Sequence, residues 1–339
     1  MPKNNSGKNH CDVALLVDAE TGERLKSGRF VPDRGSMEKR VLECLRARYP
    51  RVVVVPFGPD IVATLTELRR LRPQIVFNLT EWVASDRKLD HAIAGVLDMM
   101  KFRYTGTGPV GMQLARDKAL SKHIVATAGV DVPRCFTLGR GERIENPGLP
   151  FPLLVKPQFG DGSDEIGRAA LVRTPRELRQ RVRAIRKRLD EPVVCEEFIP
   201  GRDIYVGIIG NEPRVLAPTE MVIGSKKASA PKFATYRLKN DGKYRTKWRV
   251  RYRLAVPPPR VMRKISEFSK KAFRALQLRD YARLDFRLTD DGRLVFIEAN
   301  PNPDLTPHTL GRNLCFVGIE YRNLIPRIVE TARKRYRKR

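Results

Sequence analysis

The chain has 339 residues, of which 41% are hydrophobic and 31% are charged. This composition excludes an intrinsically disordered protein and provides for two or three domains with a substantial core. No apolar run approaches the roughly 20 residues that cross a bilayer, so no membrane partner is expected. The formal net charge of +28 fits either solvated basic faces or attraction of polyanions, from nucleotide phosphates to nucleic acids.

The cysteines are dispersed and lack Cys-x-x-Cys spacing. This pattern predicts a reducing, cytoplasmic compartment and no zinc site.

The first third of the chain alternates apolar runs with segments of helical periodicity. The apolar runs are near-continuous, as in parallel strands buried on both faces, and they fall at residues 13–17, 51–56 and 74–78. This β-α-β-α-β order predicts a small parallel sheet wrapped by helices. The turn-rich stretch at 104–109 predicts that a first domain ends at residue 108.

The rest of the chain predicts two further domains, at residues 109–201 and 202–339. The former has a predicted helix from about 111 to 128 and strands at 151–157 and 192–199. The latter has several strands of antiparallel type, an amphipathic terminal helix and a basic tail. The predicted fold class is α/β, with an α+β arrangement after the first domain.

Residues 281–303 predict a β-hairpin. The dipeptide Asp291-Gly292 lies between two apolar-rich runs and predicts a two-residue loop. Because side chains alternate between the faces of a strand, the resulting register places four polar side chains on one face. They form two pairs across the ladder, Asp285 with Glu298 and Arg283 with Asn300.

This polar face has two interpretations. Two carboxylates directly opposite each other repel, and a divalent cation between them would remove the conflict. The oxygen ligands of Asp285, Glu298 and Asn300 suit Mg²⁺. Alternatively, the carboxylates are solvated or paired with arginines. A loop of three residues would change the parity and remove the argument.

Lys156 ends a predicted strand and precedes a loop that contains Gly160 and Gly162. Glycines let backbone amides approach phosphate oxygens closely, and a lysine supplies a positive charge. The spacing is not that of a Walker A motif, so a plain strand and turn remains an alternative.

Two other segments are ambiguous when taken singly. Residues 196–199, Glu-Glu-Phe-Ile, end a strand and either offer backbone groups to a base edge or form an ordinary buried strand. Glu38 stands at a helix start, where a carboxylate complements the helix dipole without any further role.

The order of these elements resembles the ATP-grasp ligases, and specifically the D-alanine–D-alanine ligase family. The resemblance runs from about residue 75 to the C-terminus and is most specific at 281–310. It implies an ATP-grasp fold with an N-terminal small parallel-sheet domain at 1–108. Residues 109–201 would form the central lid subdomain, and 202–339 the C-terminal subdomain with the metal-binding hairpin.

The resemblance also implies roles for individual residues around ATP. Two Mg²⁺ ions, or Mn²⁺, would be held by the hairpin set, and Arg283 would stabilise the transferring phosphoryl group. Gly162 and Ser163 would lie in a flap over the phosphates. The remaining nucleotide contacts would be Lys118 and Lys156 at the phosphates, Glu196, Glu197 and Ile199 around the adenine, and Asp203 at the ribose.

Around the amino acids, the resemblance implies a second lid with Tyr236 and Lys239. Glu38 would receive the ammonium of the first amino acid, and Thr309 would meet the carboxylate of the second. Asp304 lies next to the expected backbone donor for the oxyanion.

The implied activity is an ADP-forming C–N ligase that works through an acyl phosphate while lids exclude water. Its expected partners are amino acids, with D-alanine at both positions for peptidoglycan precursor synthesis, and a homodimer is possible. Departures from the family pattern leave open a different amino acid or a peptide as the substrate. They are residues 34–36, residues 79–82, Asn240, Asp304 and Thr309. A polyanion-binding or nucleic-acid-binding protein on a nucleotide-binding fold is the alternative from a different class.

Overall fold

The computed structural model describes residues 10–83, 86–160, 166–225, 227, 229–308, 310–315 and 318–337. Among these, no helix combines the length and the apolar character needed to cross a membrane.

The N-terminal part contains the predicted parallel sheet, in the strand order β4-β1-β5. Every residue of β1 is buried, because helices cover both faces of a parallel sheet. The strands are β1 (Val13–Asp18), β2 (Gly22–Arg24), β3 (Phe30–Pro32), β4 (Val52–Phe57) and β5 (Ile75–Asn78), and the helices are α1 (Met37–Arg46), α2 (Ile61–Leu71) and α3 (Asp90–Met99). The prediction of alternating strands and helices is confirmed here.

The central part is an antiparallel sheet in the order β6-β9-β7-β8, flanked by helices. Its elements are α4 (Pro109–Arg116), α5 (Lys118–Thr127), β6 (Cys135–Leu138), β7 (Leu153–Pro157), β8 (Leu171–Val172), α6 (Pro175–Leu189) and β9 (Val193–Glu197). The single helix predicted from 111 to 128 was wrong. Asp117 adopts an extended conformation between α4 and α5, and its side chain caps α5 by accepting bonds from two backbone N–H groups.

The last part contains a mainly antiparallel sheet in the order β13-β12-β10-β14-β15, with β11 paired to β10. Its strands are β10 (Arg202–Ile209), β11 (Arg214–Val215), β12 (Thr219–Ile223), β13 (Val250–Leu254), β14 (Tyr281–Leu288) and β15 (Leu294–Asn300). Its helices are α7 (Tyr236–Asn240), α8 (Gly242–Lys247), α9 (Pro259–Ala275), α10 (Leu310–Cys315) and α11 (Leu324–Arg337).

Helix α11 returns to the N-terminal part of the chain. Its buried residues Leu324, Ile328 and Val329 belong to the same apolar cluster as residues of β1. Farther along, Arg335 donates to both carboxylate oxygens of Asp280, at 3.1 and 3.0 Å. The two ends of the chain therefore share one core.

The predicted pairing of β14 with β15 is confirmed, since Asp285 faces Glu298 and Arg283 faces Asn300. The predicted two-residue turn is wrong. The amide of Thr289 donates to the carbonyl of Arg293 at 3.0 Å, which leaves residues 290–292 as a three-residue loop. Gly292 has φ 84°, the left-handed conformation expected at the end of such a loop.

A β-bulge restores the register that the longer loop would have shifted. Asp285 pairs with Glu298, but the next residue, Phe286, pairs with Phe296. Ile297 is the extra residue on β15, and an inserted residue of this kind re-aims the side chains beyond it. The two carboxylates therefore share one face because the bulge offsets the three-residue loop.

Candidate active site

Two adjoining cavities lie where the central sheet meets the last sheet. We call the first the inner cavity; it is lined by strand residues of β7, β9, β10, β14 and β15. We call the second the outer cavity; it has a volume of about 730 Å³ and is lined by residues of all three parts of the chain. Tyr205, Lys239 and Glu298 line both cavities, so the hairpin lies at their junction.

The structure brings most of the predicted residues together around these cavities. Those at the inner cavity are Lys156, Glu196, Glu197, Ile199, Asp203, Lys239, Asp285 and Glu298. Those at the outer cavity are Lys118, Tyr236, Lys239, Arg283, Glu298, Asn300 and Asp304. Glu38, in the first turn of α1, lines neither cavity. Gly162, Ser163 and Thr309 fall outside the described residues.

A buried network of two lysines and a carboxylate forms one wall of the inner cavity. Lys122 Nζ is 2.7 Å from Glu196 Oε1, and Lys156 Nζ is 2.9 Å from Glu196 Oε2. Each of these side chains is at most 2% exposed. Burial acts to raise the pKa of Glu196, but the two lysines prevail and lower it. Burial lowers the pKa of Lys122, against the attraction of Glu196.

Sequence reasoning missed Lys122. The available signal was its spacing of four residues from Lys118 in one helix, which places both side chains on the same face. The network also changes the expectation for Glu196. Both of its oxygens pair with lysines, so its side chain orients Lys156 as well as lining the inner cavity.

Hydrogen bonds of Lys118 and of its neighbour Asp117 hold Lys118 beside Gly160, in the loop that follows β7. Its amide donates to the carbonyl of Gln158 at 3.1 Å, and the Gln158 side chain donates to Asp117 at 2.9 and 3.0 Å. Its ammonium donates to the carbonyl of Gly160. The start of α5 thus holds a lysine against the loop after β7.

The other end of the inner cavity combines apolar side chains with carboxylates that already have partners. Glu197 accepts from the Nε of Arg134 at 2.9 Å, and Asp203 accepts from Arg287 Nη1 at 2.8 Å. Arg287 also donates to the carbonyl of Ile199 at 3.0 Å. Apolar lining by Leu154, Ile166, Phe198, Phe233 and Ile297 forms a slot suited to a flat ring system.

Arg287 was also missed, although strand alternation predicts it. It lies two residues beyond Asp285 on β14, and a period of two places both side chains on one face. It is 5% exposed and connects β14 to the end of β9 and to β10.

The hairpin face holds two carboxylates, each with a cation beside it. Arg283 donates to both oxygens of Asp285, at 2.7 and 3.1 Å, and Lys239 Nζ lies 3.9 Å from Glu298 Oε1. Burial and the charge of Glu298 raise the pKa of Asp285 to about 6, against Arg283. Burial also acts to raise the pKa of Glu298, but the neighbouring lysines lower it.

The donor set on this face fits a hard divalent cation. It offers two carboxylates and the amide of Asn300, whose Nδ2 is buried without a hydrogen-bond partner among the described residues. Oxygen donors of this kind are the ligands that Mg²⁺ takes together with substrate phosphates. Across the described ranges, no cluster of three or more histidine, cysteine or carboxylate side chains could hold a metal ion, so the hairpin set relies on two carboxylates and an amide.

Helix α7 brings Tyr236 and Lys239 to the outer cavity. Thr235 caps it by accepting from the amide of Leu238 at 3.4 Å, and Leu238 is fully buried.

Asp304 accepts from the amide and the hydroxyl of Thr306, at 2.7 and 3.1 Å. Its carboxylate therefore fixes the turn after β15.

Ion pairs line the outer cavity beside the 79–82 segment. Arg87 pairs with Glu81 and lies over the ring of Trp82, with Cζ 5.2 Å from the ring centroid. Arg116 pairs with Asp90, and both side chains are 11% exposed. Sequence reasoning missed both pairs, because their partners lie on different elements.

Comparison with solved structures identifies the fold. The structure superposes on that of D-alanine–D-alanine ligase from Bacillus anthracis complexed with ATP, with a TM-score of 0.71, 19% identity and coverage of 97% of this chain and 99% of that one. The fold is therefore the ATP-grasp fold, as predicted.

Sequence comparisons identify the family within that fold. A family model described as the D-ala D-ala ligase C-terminus matches residues 124–330. D-alanine–D-alanine ligase from Methylobacterium radiotolerans is 30% identical, over 94% of this chain and 97% of the relative. The ligase from Aquifex aeolicus is 32% identical, over 88% and 92%. The chain belongs to the D-alanine–D-alanine ligase family, which confirms the resemblance seen in its motifs.

Proposed function

We propose that the chain is an ADP-forming ligase that consumes ATP to join the carboxylate of one amino acid to the amine of another. D-Alanine is the first choice at both positions, with the dipeptide used in peptidoglycan precursor synthesis. The observation that supports this most strongly is the Asp285–Glu298 pair across β14 and β15, at the junction of an apolar slot and a larger polar cavity.

The chain's residues support distinct parts of this reaction. The inner cavity would hold the base against its apolar lining, while Lys118 and Lys156 hold phosphate oxygens by charge. Asp285, Glu298 and Asn300 fit Mg²⁺, which when bound would offset the negative charge of the phosphates. Arg283 lines the outer cavity beside Asp285, a position from which its guanidinium would stabilise charge that develops on the transferring group.

The bonds change in two steps. A carboxylate oxygen of the first amino acid attacks the γ-phosphorus, and ADP leaves. The amine nitrogen of the second amino acid then attacks the acyl carbon, phosphate leaves with its bonding electrons, and the nitrogen loses a proton. Tyr236 and Lys239, on the short helix α7 beside the outer cavity, would exclude water from the acyl phosphate.

The test is a phosphate-release assay with ATP, Mg²⁺ and single or paired D- and L-amino acids. We expect release that depends on Mg²⁺ and is stimulated by D-alanine. Stimulation by a different amino acid would support the ligase activity but change the assigned substrate. Salt-sensitive binding of polyanions without any amino-acid-dependent release would instead favour the alternative from a different class.

The variant Asp285→Ala tests the hairpin assignment. We expect loss of turnover to background, because the variant removes one of the facing carboxylates. The matched control is Asp290→Ala, in the exposed part of the same hairpin's loop, which should retain activity. Full turnover in Asp285→Ala would refute the assignment.

A further inference from the structure

One wall of the outer cavity is a row of two tyrosine side chains with an arginine at each end. Arg283 Cζ lies 5.6 Å from the ring centroid of Tyr205, the centroids of Tyr205 and Tyr252 are 6.0 Å apart, and Arg312 Cζ lies 4.4 Å from the centroid of Tyr252. All four residues line the cavity. We call this set the arginine–tyrosine wall; it leads outward from the hairpin to Arg312.

The wall is built on elements with fixed relative positions. Tyr205 lies on β10, and Tyr252 lies on β13, which pairs with the intervening strand β12. Asn313 of α10 is 1% exposed and donates its side-chain amide to the carbonyls of Tyr205, at 3.2 Å, and Ala217, at 2.7 Å. These bonds hold α10, and the adjacent Arg312, against β10.

The wall has a buried donor without a partner. Tyr205 is 8% exposed, and its hydroxyl has no hydrogen-bond partner among the described residues. Burying a hydroxyl group without a partner costs free energy, and an anionic group in the cavity would supply an acceptor. The wall therefore has an unmet donor on the ring that Arg283 covers.

The charge along this wall is positive. Arg245 also lines the cavity. The charges of Arg283, Arg312 and Arg245 oppose the rise in the pKa of Tyr252 that burial causes, while Asp203 adds to it. Arg283 is itself paired with Asp285, so Arg312 and Arg245 supply the remaining positive charge.

Four carboxylates of the described residues line the same cavity. Glu81 and Asp90 pair with Arg87 and Arg116, Glu298 lies beside Lys239, and Asp304 accepts from Thr306. Guanidinium and phenol groups together bind carboxylates through charge-assisted hydrogen bonds.

We propose that the acceptor subsite also takes a second amino acid with an acidic side chain, whose carboxylate is bound by Arg312 and the tyrosine hydroxyls of the wall. The inference rests on the proposed ligase activity and concerns its acceptor only. The amide forms as before, and the additional carboxylate is unchanged by the reaction. The amide of the same acid has nearly the same shape but no charge, so it forms a weaker bond to a guanidinium group and should be used less well than the acid.

The experiment compares amino acids that differ in charge but hardly in shape. With the full chain, ATP, Mg²⁺ and saturating D-alanine as first amino acid, kcat/KM is measured for D-glutamate against D-glutamine and for D-aspartate against D-asparagine. Mass spectrometry identifies the mixed dipeptide. We expect the acid to be preferred over its amide by about tenfold or more, since a charge-assisted bond is worth at least that factor.

Variants of Arg312 assign the preference to the wall. Arg312→Gln should bring the ratio of acid to amide close to one, mainly through KM, and Arg312→Lys should retain part of the preference. Arg322→Gln, at an exposed arginine 76% accessible to solvent, is the matched control and should leave the ratio unchanged.

The outcomes separate the two proposals. If D-alanine is turned over but acid and amide are used equally, the inference is overturned and the ligase stands. The same holds if Arg312→Gln leaves the preference intact. If no amino acid stimulates phosphate release, the proposed function itself fails, and the inference fails with it.

Discussion

Removing the buried charge of Lys122 tests the network that holds Lys156 at the inner cavity. In Lys122→Met, the 2.7 Å contact to Glu196 Oε1 is lost, while the 2.9 Å contact from Lys156 to Oε2 remains. Breaking a buried ion pair by removing one partner costs about 3–5 kcal/mol. Because Glu196 keeps one lysine, and because burial already lowers the pKa of Lys122, we expect the lower end, about 3 kcal/mol.

Urea unfolding followed by circular dichroism measures this loss. The matched control is Lys271→Met, where the lysine pairs with Glu267 at 2.7 Å but is 39% exposed. Solvent screens a helical surface pair of this kind, so its loss should cost much less. The double variant Lys122→Met with Glu196→Gln should lose less than the sum of the single losses, because the two residues share one interaction. Equal losses in Lys122→Met and Lys271→Met would refute the reasoning.

Two further variants test backbone and interdomain features. Gly292→Ala should lower the free energy of unfolding by about 1–2 kcal/mol in urea, because the φ of Gly292 is 84°, in the left-handed region. The control Gly141→Ala, in open space and without a positive φ, should cost little. Equal losses in the two variants would contradict the loop geometry. Arg335→Met should destabilise by about 3 kcal/mol, because Asp280 is fully buried and loses a bidentate partner. The exposed Arg327→Met is its control, and an undiminished unfolding midpoint in Arg335→Met would show that Asp280 does not depend on this pair.

The hairpin shows what strand periodicity can and cannot predict. Alternation correctly paired Asp285 with Glu298, yet the turn assumed for it was one residue too short. The bulge at Ile297 compensates, and nothing in the local sequence distinguishes a bulged strand from a regular one. Bulges depend on the neighbouring strand and on what packs behind it, so the correct pairing was reached through two deviations that cancel.

The buried network shows a different limit. Lys118 and Lys156 were predicted from their order along the chain, whereas Lys122 has no motif of its own. A lysine on a helix is ordinarily solvent-exposed, and here the partner carboxylate lies 74 positions away in sequence, on β9. Recognising it requires knowing that α5 packs against the central sheet, which is tertiary information.

The same distinction explains why the hairpin residues were predictable and the rest of the outer cavity was not. Arg283, Asp285 and Glu298 sit on two neighbouring strands joined by a short loop, so their pairing was predicted from one hairpin, with the bulge offsetting the longer loop. The outer cavity takes Trp82 from a loop of the N-terminal part, Tyr252 from β13 and Arg312 from α10. No periodicity relates these segments, and each can change without disturbing the hairpin. If the proposed ligase activity holds, we therefore expect the acceptor to depend on the outer cavity, including the arginine–tyrosine wall, and not on the hairpin.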